Sequence, residues 1–359
     1  MEMEKEALLI TPEMIRPSSR DLNVIGTINP AAMRRKDGKI VLYIRVIEQV
    51  KKLEDKRYCY SPRMVGKNRY KIKIDRFSKR NVKTNSDFDI IFNDGTKRLT
   101  FISHLRKVVL DEDGFRVLSI DTNPSFYGIA SDSELGIEDP RITQIEDKYV
   151  MTYVSLSRKE NISTCIAFSK DLKKWERKGI IFGEQDKDVV IFPEKIKGKY
   201  VAFDRPEGNF EFTLPHIWIG YSDNLLSWGN LRSVNLLKKS DEDYGRIGPG
   251  CPPIKTDKGW LLIYHTVREE KDKSSTYSGS VALFDLKDPR RLLLKSDPII
   301  IPKQNYELRL YQKKRIVFPT GVVFDKDNEH LLIYSGGGDV VTSVRKVSLK
   351  KVMKHLRKL

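Results

Sequence analysis

The chain has 359 residues, 39% of them hydrophobic and 9% aromatic, which is long and apolar enough for a folded protein with a substantial core. Its 66 Lys and Arg residues against 49 Asp and Glu residues give a net charge of +17, but both signs are spread along the whole chain, which argues against a dedicated nucleic-acid-binding surface. Every apolar run is shorter than the roughly 20 residues that cross a bilayer, so the sequence excludes a transmembrane helix.

The N-terminal residues and the cysteines predict the cellular compartment. The start, MEMEKEALLI, mixes charged and apolar residues and lacks the basic-then-apolar plan of a secretory signal. The three cysteines, Cys59, Cys165 and Cys251, are odd in number and have no metal-ligand spacing, which is typical of buried reduced thiols. We therefore expect a cytoplasmic protein.

A short β-rich unit recurs along the chain. Each copy has a polar turn between two segments of strand-forming residues, and the second segment carries an aromatic residue, as in KIVLYIRV and KGWLLIYHTV. The copies are residues 29–46, 140–154, 192–206, 252–267 and 320–337. Each copy therefore predicts a β-hairpin.

Each predicted hairpin is followed by a second β-like segment that ends in a charged turn. These segments are residues 101–115, 164–179, 217–229, 278–293 and 339–351. Five four-stranded units favour a five-bladed β-propeller, in which each blade buries its faces against its neighbours. We predict one all-β domain over residues 1–359, and an irregular β-sandwich is the alternative.

Two segments depart from the repeat. Residues 48–100 separate the two halves of blade one and contain two candidate hairpin strands, YKIKI and DFDIIF. Residues 346–359 predict a C-terminal amphipathic helix that packs against the propeller or a second subunit, rather than a membrane. Its apolar face consists of Leu349, Val352, Met353 and Leu356.

The inner strands of a propeller converge on a central channel, so unusual polar residues beside the predicted inner hairpins are the candidate site. Asp139 lies in GIEDPRIT, just before a predicted strand. Pro140 lacks a backbone donor and favours an extended Asp139, which would aim the carboxylate outward. The alternative is that Asp139 and Pro140 only form a turn.

Two arginines stand in otherwise apolar strands. Arg45 lies in VLYIRV and Arg205 lies near the end of KYVAFDRP, although burial of an arginine is costly without an anionic partner. Each arginine could pair with a carboxylate of the protein, among them Asp188, Asp204 and Glu194. A bound oxyanion would instead explain why several bases converge.

Other common chemistries have no motif in this chain. It contains no G-x-G-x-x-G or G-x-x-x-x-G-K-[ST] phosphate loop, no H-E-x-x-H zinc motif and no G-x-S-x-G nucleophile motif. The five histidines are scattered. We expect neither a metal ion nor a cofactor.

At GIEDPRIT, FPEKIKGKY, GWLLIYH and IYSGGGD the sequence resembles glycoside hydrolase family 130, the β-mannoside phosphorylases. The NPA that begins at Asn29 and the KD before FPEKI belong to the same pattern, which runs in order from about residue 29 to about residue 340. The resemblance implies a five-bladed propeller. It also implies inverting phosphorolysis of β-manno-oligosaccharides by inorganic phosphate, with release of α-mannose 1-phosphate.

The resemblance implies a role for each candidate residue. Asp139 is the acid that passes its proton to the glycosidic oxygen through the mannose 3-hydroxyl, while phosphate attacks the anomeric carbon, so the second carboxylate of a glycosidase is not needed. The expected phosphate ligands are Arg45, Lys187, Arg205, His265 and Tyr277. The expected substrate ligands are Asn29, Arg106, Asp188 and Asp339.

Two other functions stay open on the sequence. Some members of the family are hydrolases that lack the basic cluster, whereas Arg45, Lys187 and Arg205 favour phosphorolysis here. A non-catalytic propeller that binds glycans or nucleic acid is the second alternative. The YHTV at residues 264–267, where the family often has YHG, and the long insertion leave the linkage and the substrate length undetermined. The same insertion and the terminal helix are compatible with a homo-oligomer.

Overall fold

The protein is built almost entirely from β-strands, which confirms the predicted all-β class. Within the described part of the chain, the one α-helix is the short α1 (Leu349–Lys354). No helix in this part is long and apolar enough to cross a membrane. The computed structural model describes residues 1–67, 69–207, 214–234, 244–269, 272, 274–309 and 313–358.

The first sheet, group 1, is antiparallel and has four strands. Its spatial order is β10 (Val117–Ile120), β9 (Phe101–Leu110), β3 (Ile40–Val50) and β2 (Leu22–Arg34). The hairpin β2–β3 contains the predicted hairpin at residues 29–46. It turns at Gly38, whose φ of +81° is a conformation that favours glycine.

Five short strands lie between β3 and β9 and form two small sheets. One is the hairpin of β4 (Tyr58–Met64) and β5 (Ile72–Ser78). The other consists of β6 (Val82–Asn85), β7 (Asp89–Phe92) and β8 (Lys97–Leu99). An apolar cluster that includes Met64, Leu22 and Ile102 attaches this insertion to group 1.

Groups 2 and 3 are antiparallel sheets whose strands lie side by side in chain order. Group 2 consists of β11 (Gly136–Ile145), β12 (Lys148–Ser157), β13 (Asn161–Ser169) and β14 (Glu176–Phe182). Group 3 consists of β15 (Asp186–Ile191), β16 (Tyr200–Pro206), β17 (Trp218–Ser222) and β18 (Trp228–Ser233). The hairpin predicted at residues 192–206 begins earlier than expected, since its first strand is β15, and Phe192 beyond that strand still donates to the carbonyl oxygen of Val201.

Groups 4 and 5 share a ten-stranded sheet. Group 4 consists of β19 (Tyr244–Pro249), β20 (Ile254–Thr256), β21 (Gly259–Glu269), β22 (Ser275–Phe284) and β23 (Leu292–Lys295). Group 5 consists of β24 (Leu308–Arg309), β25 (Lys314–Phe324), β26 (His330–Gly337), β27 (Val341–Ser348) and the N-terminal β1 (Lys5–Ile10). The two groups are joined by a short parallel contact, in which Ser275, Thr276 and Tyr277 pair with Lys314, Arg315 and Ile316.

Apolar clusters fill the interfaces between successive groups. Each cluster combines side chains from two groups, in the order 1–2, 2–3, 3–4, 4–5 and 5–1. Every group therefore packs between two others, and the last packs against the first. One member from each of the two groups, in that order, is Tyr43 and Met151, Val150 and Tyr200, Phe203 and Trp260, Leu261 and Ile333, and Leu332 and Leu42.

The C-terminal helix is shorter than the predicted one over residues 346–359. Residues 346–348 belong instead to β27, where Ser348 pairs with His330 of β26. Val352 and Leu356 are buried in the cluster between groups 4 and 5, and Leu349 and Met353 pack against it. The predicted apolar face therefore packs on this chain's own sheets.

Candidate active site

A pocket of about 740 Å³ lies where strands of all five groups converge. The insertion contributes to its wall through Asp87, Phe88, Asp89 and Leu99. The predicted site residues in its lining are Asn29, Arg45, Asp139, Lys187, Asp188, Arg205, His265, Tyr277 and Asp339.

Backbone irregularities position three of these side chains. Asn29, Asp139 and Asp188 have φ values of +47°, +47° and +57°. Each lies at a break in strand register, in β2, β11 and β15 respectively. Asn and Asp adopt this left-handed conformation more readily than other residues with a side chain. Three consecutive groups therefore use the same kind of β-bulge to present a polar side chain to one pocket.

The expectation that Pro140 holds Asp139 in an extended conformation is wrong. Asp139 has its positive φ because the strand is interrupted between Glu138 and Arg141. Pro140 fits this interruption for a different reason: it has no N–H that would be left unpaired where the ladder breaks.

The end of the pocket that groups 1 and 2 form, the acid end, contains Asn29, Arg45, Glu138 and Asp139. Oδ1 of Asp139 accepts a hydrogen bond of 2.8 Å from Nδ2 of Asn29 and one of 3.1 Å from Nη1 of Arg45. Nη2 of Arg45 donates to Oε1 of Glu138, and its Nε lies 3.2 Å from Oγ of Ser103. Arg45 therefore has the carboxylate partners that a buried arginine requires.

The charges at the acid end shift several pKa values. Burial alone would lower the pKa of Arg45, but Glu138 and Asp139 raise it above its usual value, so the guanidinium stays charged. Burial raises the pKa of Glu138, despite the nearby Arg45. Burial likewise raises the pKa of Asp339, which has a φ of +55° and lines the same pocket.

The end of the pocket that groups 3 and 4 form, the basic end, contains Lys187, Arg205, Arg246, His265 and Tyr277. Three of these bases surround the carboxylate of Glu207. Oε2 accepts a hydrogen bond of 3.0 Å from Nη1 of Arg205 and lies 3.9 Å from Nζ of Lys187, while Oε1 accepts one of 3.1 Å from Nη1 of Arg246. Nη2 of Arg246 also donates to the hydroxyl of Tyr277 at 2.8 Å.

Asp188 is a buried carboxylate beside Arg205 and His265 at this end of the pocket. Its Oδ2 accepts a hydrogen bond of 2.9 Å from Nε of Arg205, and its Oδ1 lies 3.5 Å from Nη2 of Arg141. Burial alone would raise the pKa of Asp188, but Arg205, His265 and Arg141 hold it well below its usual value. Burial lowers the pKa of His265 to about 3, so the imidazole is neutral near pH 7.

Arg106, which we expected to contact the substrate, does not line the pocket. Its guanidinium donates to the carbonyl oxygens of Thr122 at 2.7 Å and Arg16 at 2.9 Å, and it lies 3.5 Å from the buried Glu48. Arg106 pairs with Ile44 of β3, one residue from Arg45. Because successive side chains of a strand point to opposite faces, Arg106 faces away from the side that carries Arg45.

The sequence did not identify Glu207 and Arg246 as site residues. Both lie in segments without a recognised motif, Glu207 directly after Pro206 and Arg246 in YGRIGP. Arg141 belongs to the same EDPR segment as Asp139, but its guanidinium bonds to the protein's own backbone. It donates to the carbonyl oxygen of Gly250 at 2.5 Å and to that of Asp139 at 3.1 Å.

The arrangement can deliver a proton at one end and hold an oxyanion at the other. Asp139 is a carboxyl group with fixed partners, and the basic end concentrates guanidinium, ammonium and phenol donors. Among the described residues, no cluster of three or more His, Cys, Asp or Glu side chains could hold a metal ion.

Comparisons with known proteins agree with this chemistry. The model of glycoside hydrolase family 130, described as β-1,4-mannooligosaccharide phosphorylase, matches residues 110–358. The chain is 32% identical to a β-1,2-mannobiose phosphorylase of Listeria innocua, over 98% of this chain and 97% of that protein. It is 34% identical to a 1,2-β-oligomannan phosphorylase of a Thermoanaerobacter species, over 70% of this chain and 81% of that protein. The solved structure of the Listeria enzyme in complex with β-1,2-mannobiose has a TM-score of 0.84 at 30% identity and covers 97% of this chain and 96% of that one.

Proposed function

The chain belongs to glycoside hydrolase family 130, and on that premise we propose that it is an inverting β-mannoside phosphorylase. It cleaves the β-mannosidic bonds of manno-oligosaccharides with inorganic phosphate and releases α-mannose 1-phosphate, in a reversible reaction. The observation that carries the proposal is that Asp139 and the bases Lys187, Arg205 and Arg246 line one pocket. A hydrolase of this fold would have no use for such a concentration of oxyanion donors.

Asp139 is the proton donor of this reaction. Both of its hydrogen bonds from Asn29 and Arg45 end on Oδ1, so we assign the transferable proton to Oδ2. Oδ2 gives its proton to the mannose 3-hydroxyl, whose own proton passes to the glycosidic oxygen. The bond between that oxygen and the anomeric carbon breaks with the electron pair on the oxygen, which leaves as a hydroxyl group of the shortened sugar.

Phosphate forms the new bond from the opposite face of the mannose ring. Lys187, Arg205, Arg246 and Tyr277 supply the positive charge and the hydrogen-bond donors that hold it there. One phosphate oxygen bonds to the anomeric carbon, and the proton that phosphate carried is released, which allows Asp139 to be protonated again. The buried Asp188 keeps Arg205 in place by accepting its hydrogen bond, and the neutral His265 lies 3.8 Å from the same carboxylate oxygen.

The five groups are the blades of one β-propeller in our proposal, and the whole chain forms a single catalytic domain. Two features support this arrangement: the cyclic order of the apolar clusters, in which group 5 packs on group 1, and the convergence of all five groups on the pocket. β1 then closes the ring as the outer strand of the last blade.

We propose β-1,2-linked mannosides as the substrate class. Both relatives compared above are named for 1,2-linkages, and the Listeria enzyme matches nearly the whole chain, whereas the family description names a 1,4-linkage. The insertion residues Asp87, Phe88 and Asp89 then form part of the site for the leaving sugar. We also propose a cytoplasmic location, in which the buried and unpaired Cys59, Cys165 and Cys251 stay reduced.

The dependence on phosphate tests the proposal directly. The purified protein is incubated with β-1,2-mannobiose with and without phosphate, and the products are followed by ³¹P NMR and sugar chromatography. We expect α-mannose 1-phosphate and mannose in equal amounts with phosphate, and no cleavage without it. Equal release of mannose without phosphate would identify a hydrolase.

The non-catalytic alternative has its own signature. Failure to cleave any β-mannoside, together with DNA binding that weakens steeply as salt increases, would favour a binding protein that uses its net positive charge. The counter-ions already present in the pocket, Asp188 and Glu207, argue against that function because they reduce the positive potential there.

A further inference from the structure

Glu207 is a carboxylate in the part of the pocket that is proposed to hold an anion. It lies one residue beyond β16, and its side chain is 22% exposed. Its two oxygens contact Arg205 and Arg246 at 3.0 and 3.1 Å, and Lys187 lies 3.9 Å away. Each of the three bases that would hold the oxyanion is therefore already next to a negative charge.

This placement is costly for a site that binds any anion. Two like charges a few ångströms apart repel each other strongly in a partly buried pocket, where water screens them poorly. Glu207 also stays ionised: burial alone would raise its pKa, but Arg205 and Lys187 lower it. An ionised carboxylate can only accept hydrogen bonds. A ligand oxygen that approaches it must therefore carry a proton.

The basic end still has hydrogen-bond donors for the unprotonated oxygens of such a ligand. Among the hydrogen bonds of the described residues, Nη2 of Arg205 and Nζ of Lys187 make none, although both groups line or adjoin the pocket. A ligand with one protonated oxygen and three unprotonated ones thus matches the basic end. Near pH 7 inorganic phosphate carries a proton, whereas sulfate carries none.

We propose that Glu207 makes the basic end selective for protonated phosphate over fully ionised oxyanions such as sulfate, by accepting a hydrogen bond from the phosphate hydroxyl. This inference rests on the proposed phosphorolysis. The protonated oxygen is held by Glu207, and a different oxygen attacks the anomeric carbon. The proton leaves the phosphate group after the new bond has formed, as the reaction balance already requires.

The test compares Glu207→Gln with the unchanged protein and with Glu194→Gln. Glu194 is exposed, pairs with Lys255 and lies outside the pocket, so it controls for the same chemical change elsewhere on group 3. The KM for phosphate and the inhibition constant of sulfate are measured in the phosphorolysis assay, and calorimetry gives the affinity of each ion for the protein without sugar.

We expect Glu207→Gln to reduce the preference for phosphate over sulfate by roughly 10- to 100-fold, because the glutamine amide can donate a hydrogen bond to an unprotonated oxygen and no longer repels it. Glu207→Asp, which keeps the carboxylate, should keep most of the preference. Glu194→Gln should keep all of it.

Two outcomes would overturn the inference and one concerns only the proposed function. If Glu207→Gln changes phosphate and sulfate affinity by the same factor, Glu207 only positions the bases. If sulfate binds the unchanged protein as tightly as phosphate does, there is no selectivity to explain. A protein that prefers phosphate in calorimetry but cleaves no mannoside would retain the inference and remove the phosphorolysis.

Discussion

The acid end and the basic end of the pocket hold their charged side chains in different ways. At the acid end, Asn29 and Asp139 both occupy left-handed bulges, a hydrogen bond joins them, and Arg45 has Glu138 as a second carboxylate partner beside Asp139. At the basic end, Asp188 lies in a bulge of the same kind, but Arg205 is fixed by ion pairs with Asp188 and Glu207. We therefore expect that Asp139 can be exchanged with little effect on folding, because Glu138 still neutralises Arg45, whereas exchange of Arg205 impairs both binding and stability.

The largest expected effect comes from Asp139→Asn at the acid end. The amide keeps the shape and can still accept a hydrogen bond from Arg45, but it has no proton to donate at the required acidity. We expect kcat to fall by about 10²- to 10⁴-fold, the usual contribution of a general acid, with little change in the melting temperature. Asp147→Asn, an exposed residue in the turn of the same hairpin, is the matched control. Undiminished formation of α-mannose 1-phosphate by Asp139→Asn would remove the assignment.

Arg205→Met at the basic end should impair both binding and folding. Loss of the guanidinium removes oxyanion donors, for which we expect kcat/KM for phosphate to fall by about 10²- to 10³-fold. It also leaves Asp188 and Glu207 without their principal partner, and such changes in buried networks cost about 3–5 kcal/mol of unfolding free energy. Arg290→Met, on an exposed ion pair with Asp288, should alter neither quantity. A fully stable Arg205→Met protein would contradict the proposed difference between the two ends.

A smaller effect is expected from a substitution in the insertion, which should affect the binding of the mannoside but not the binding of phosphate. Phe88 lines the pocket, is 43% exposed and packs edge-on against Phe101, with 6.5 Å between ring centres. We expect Phe88→Ala to raise the KM for the mannoside about 3- to 10-fold through lost ring contacts, and to leave the KM for phosphate unchanged. Leu118→Ala, on the exposed edge strand β10, controls for loss of an exposed apolar side chain. An equal change in both KM values would place Phe88 outside the leaving-sugar site.

Much of the fold was predictable from local patterns. The repeated turn and aromatic-strand units mark the hairpins, because turn residues and strand-forming residues act over a few positions. The pairing of β1 with β27 was not predictable, since nothing in KEALLI specifies a partner more than 300 residues away.

Pocket residues that belong to a sequence motif were predictable, whereas those whose position depends on strand register or on distant partners were not. Arg45 and Asp139 stood out in sequence and meet in the structure. Arg106 was wrongly expected in the pocket. It lies on β9, next to the strand that carries Arg45, and the register between these strands determines which face of the sheet its side chain occupies. Glu207 and Arg246 went unnoticed because a carboxylate and an arginine acquire their role only through the partners that folding brings to them.

The smallest expected effect concerns a pair of acids on the opposite face of the strands that carry the basic end. Asp186 precedes Lys187 and Asp204 precedes Arg205, so both acids point away from the bases, into the interior. Each of the two carboxyl groups affects the pKa of the other. Burial, with the neighbouring acid, raises the pKa of Asp186 above its usual value, and burial raises that of Asp204 as well. The pair is therefore stable when it holds a proton.

The raised pKa values of Asp186 and Asp204 make the folded protein less stable as pH rises. Because the folded pKa values lie above those of carboxyl groups in the unfolded chain, about 4, the pair's contribution to stability is complete below about pH 4 and is lost as pH rises above that value. Asp186→Asn stays neutral at every pH and removes one of the two titrations. We expect its melting temperature to fall less between about pH 5 and about pH 9 than that of the unchanged protein, by a few degrees, with Asp147→Asn as the control. Parallel melting curves for all three proteins would mean that the ion pairs on the pocket side, and not this acid pair, determine how the basic end responds to pH.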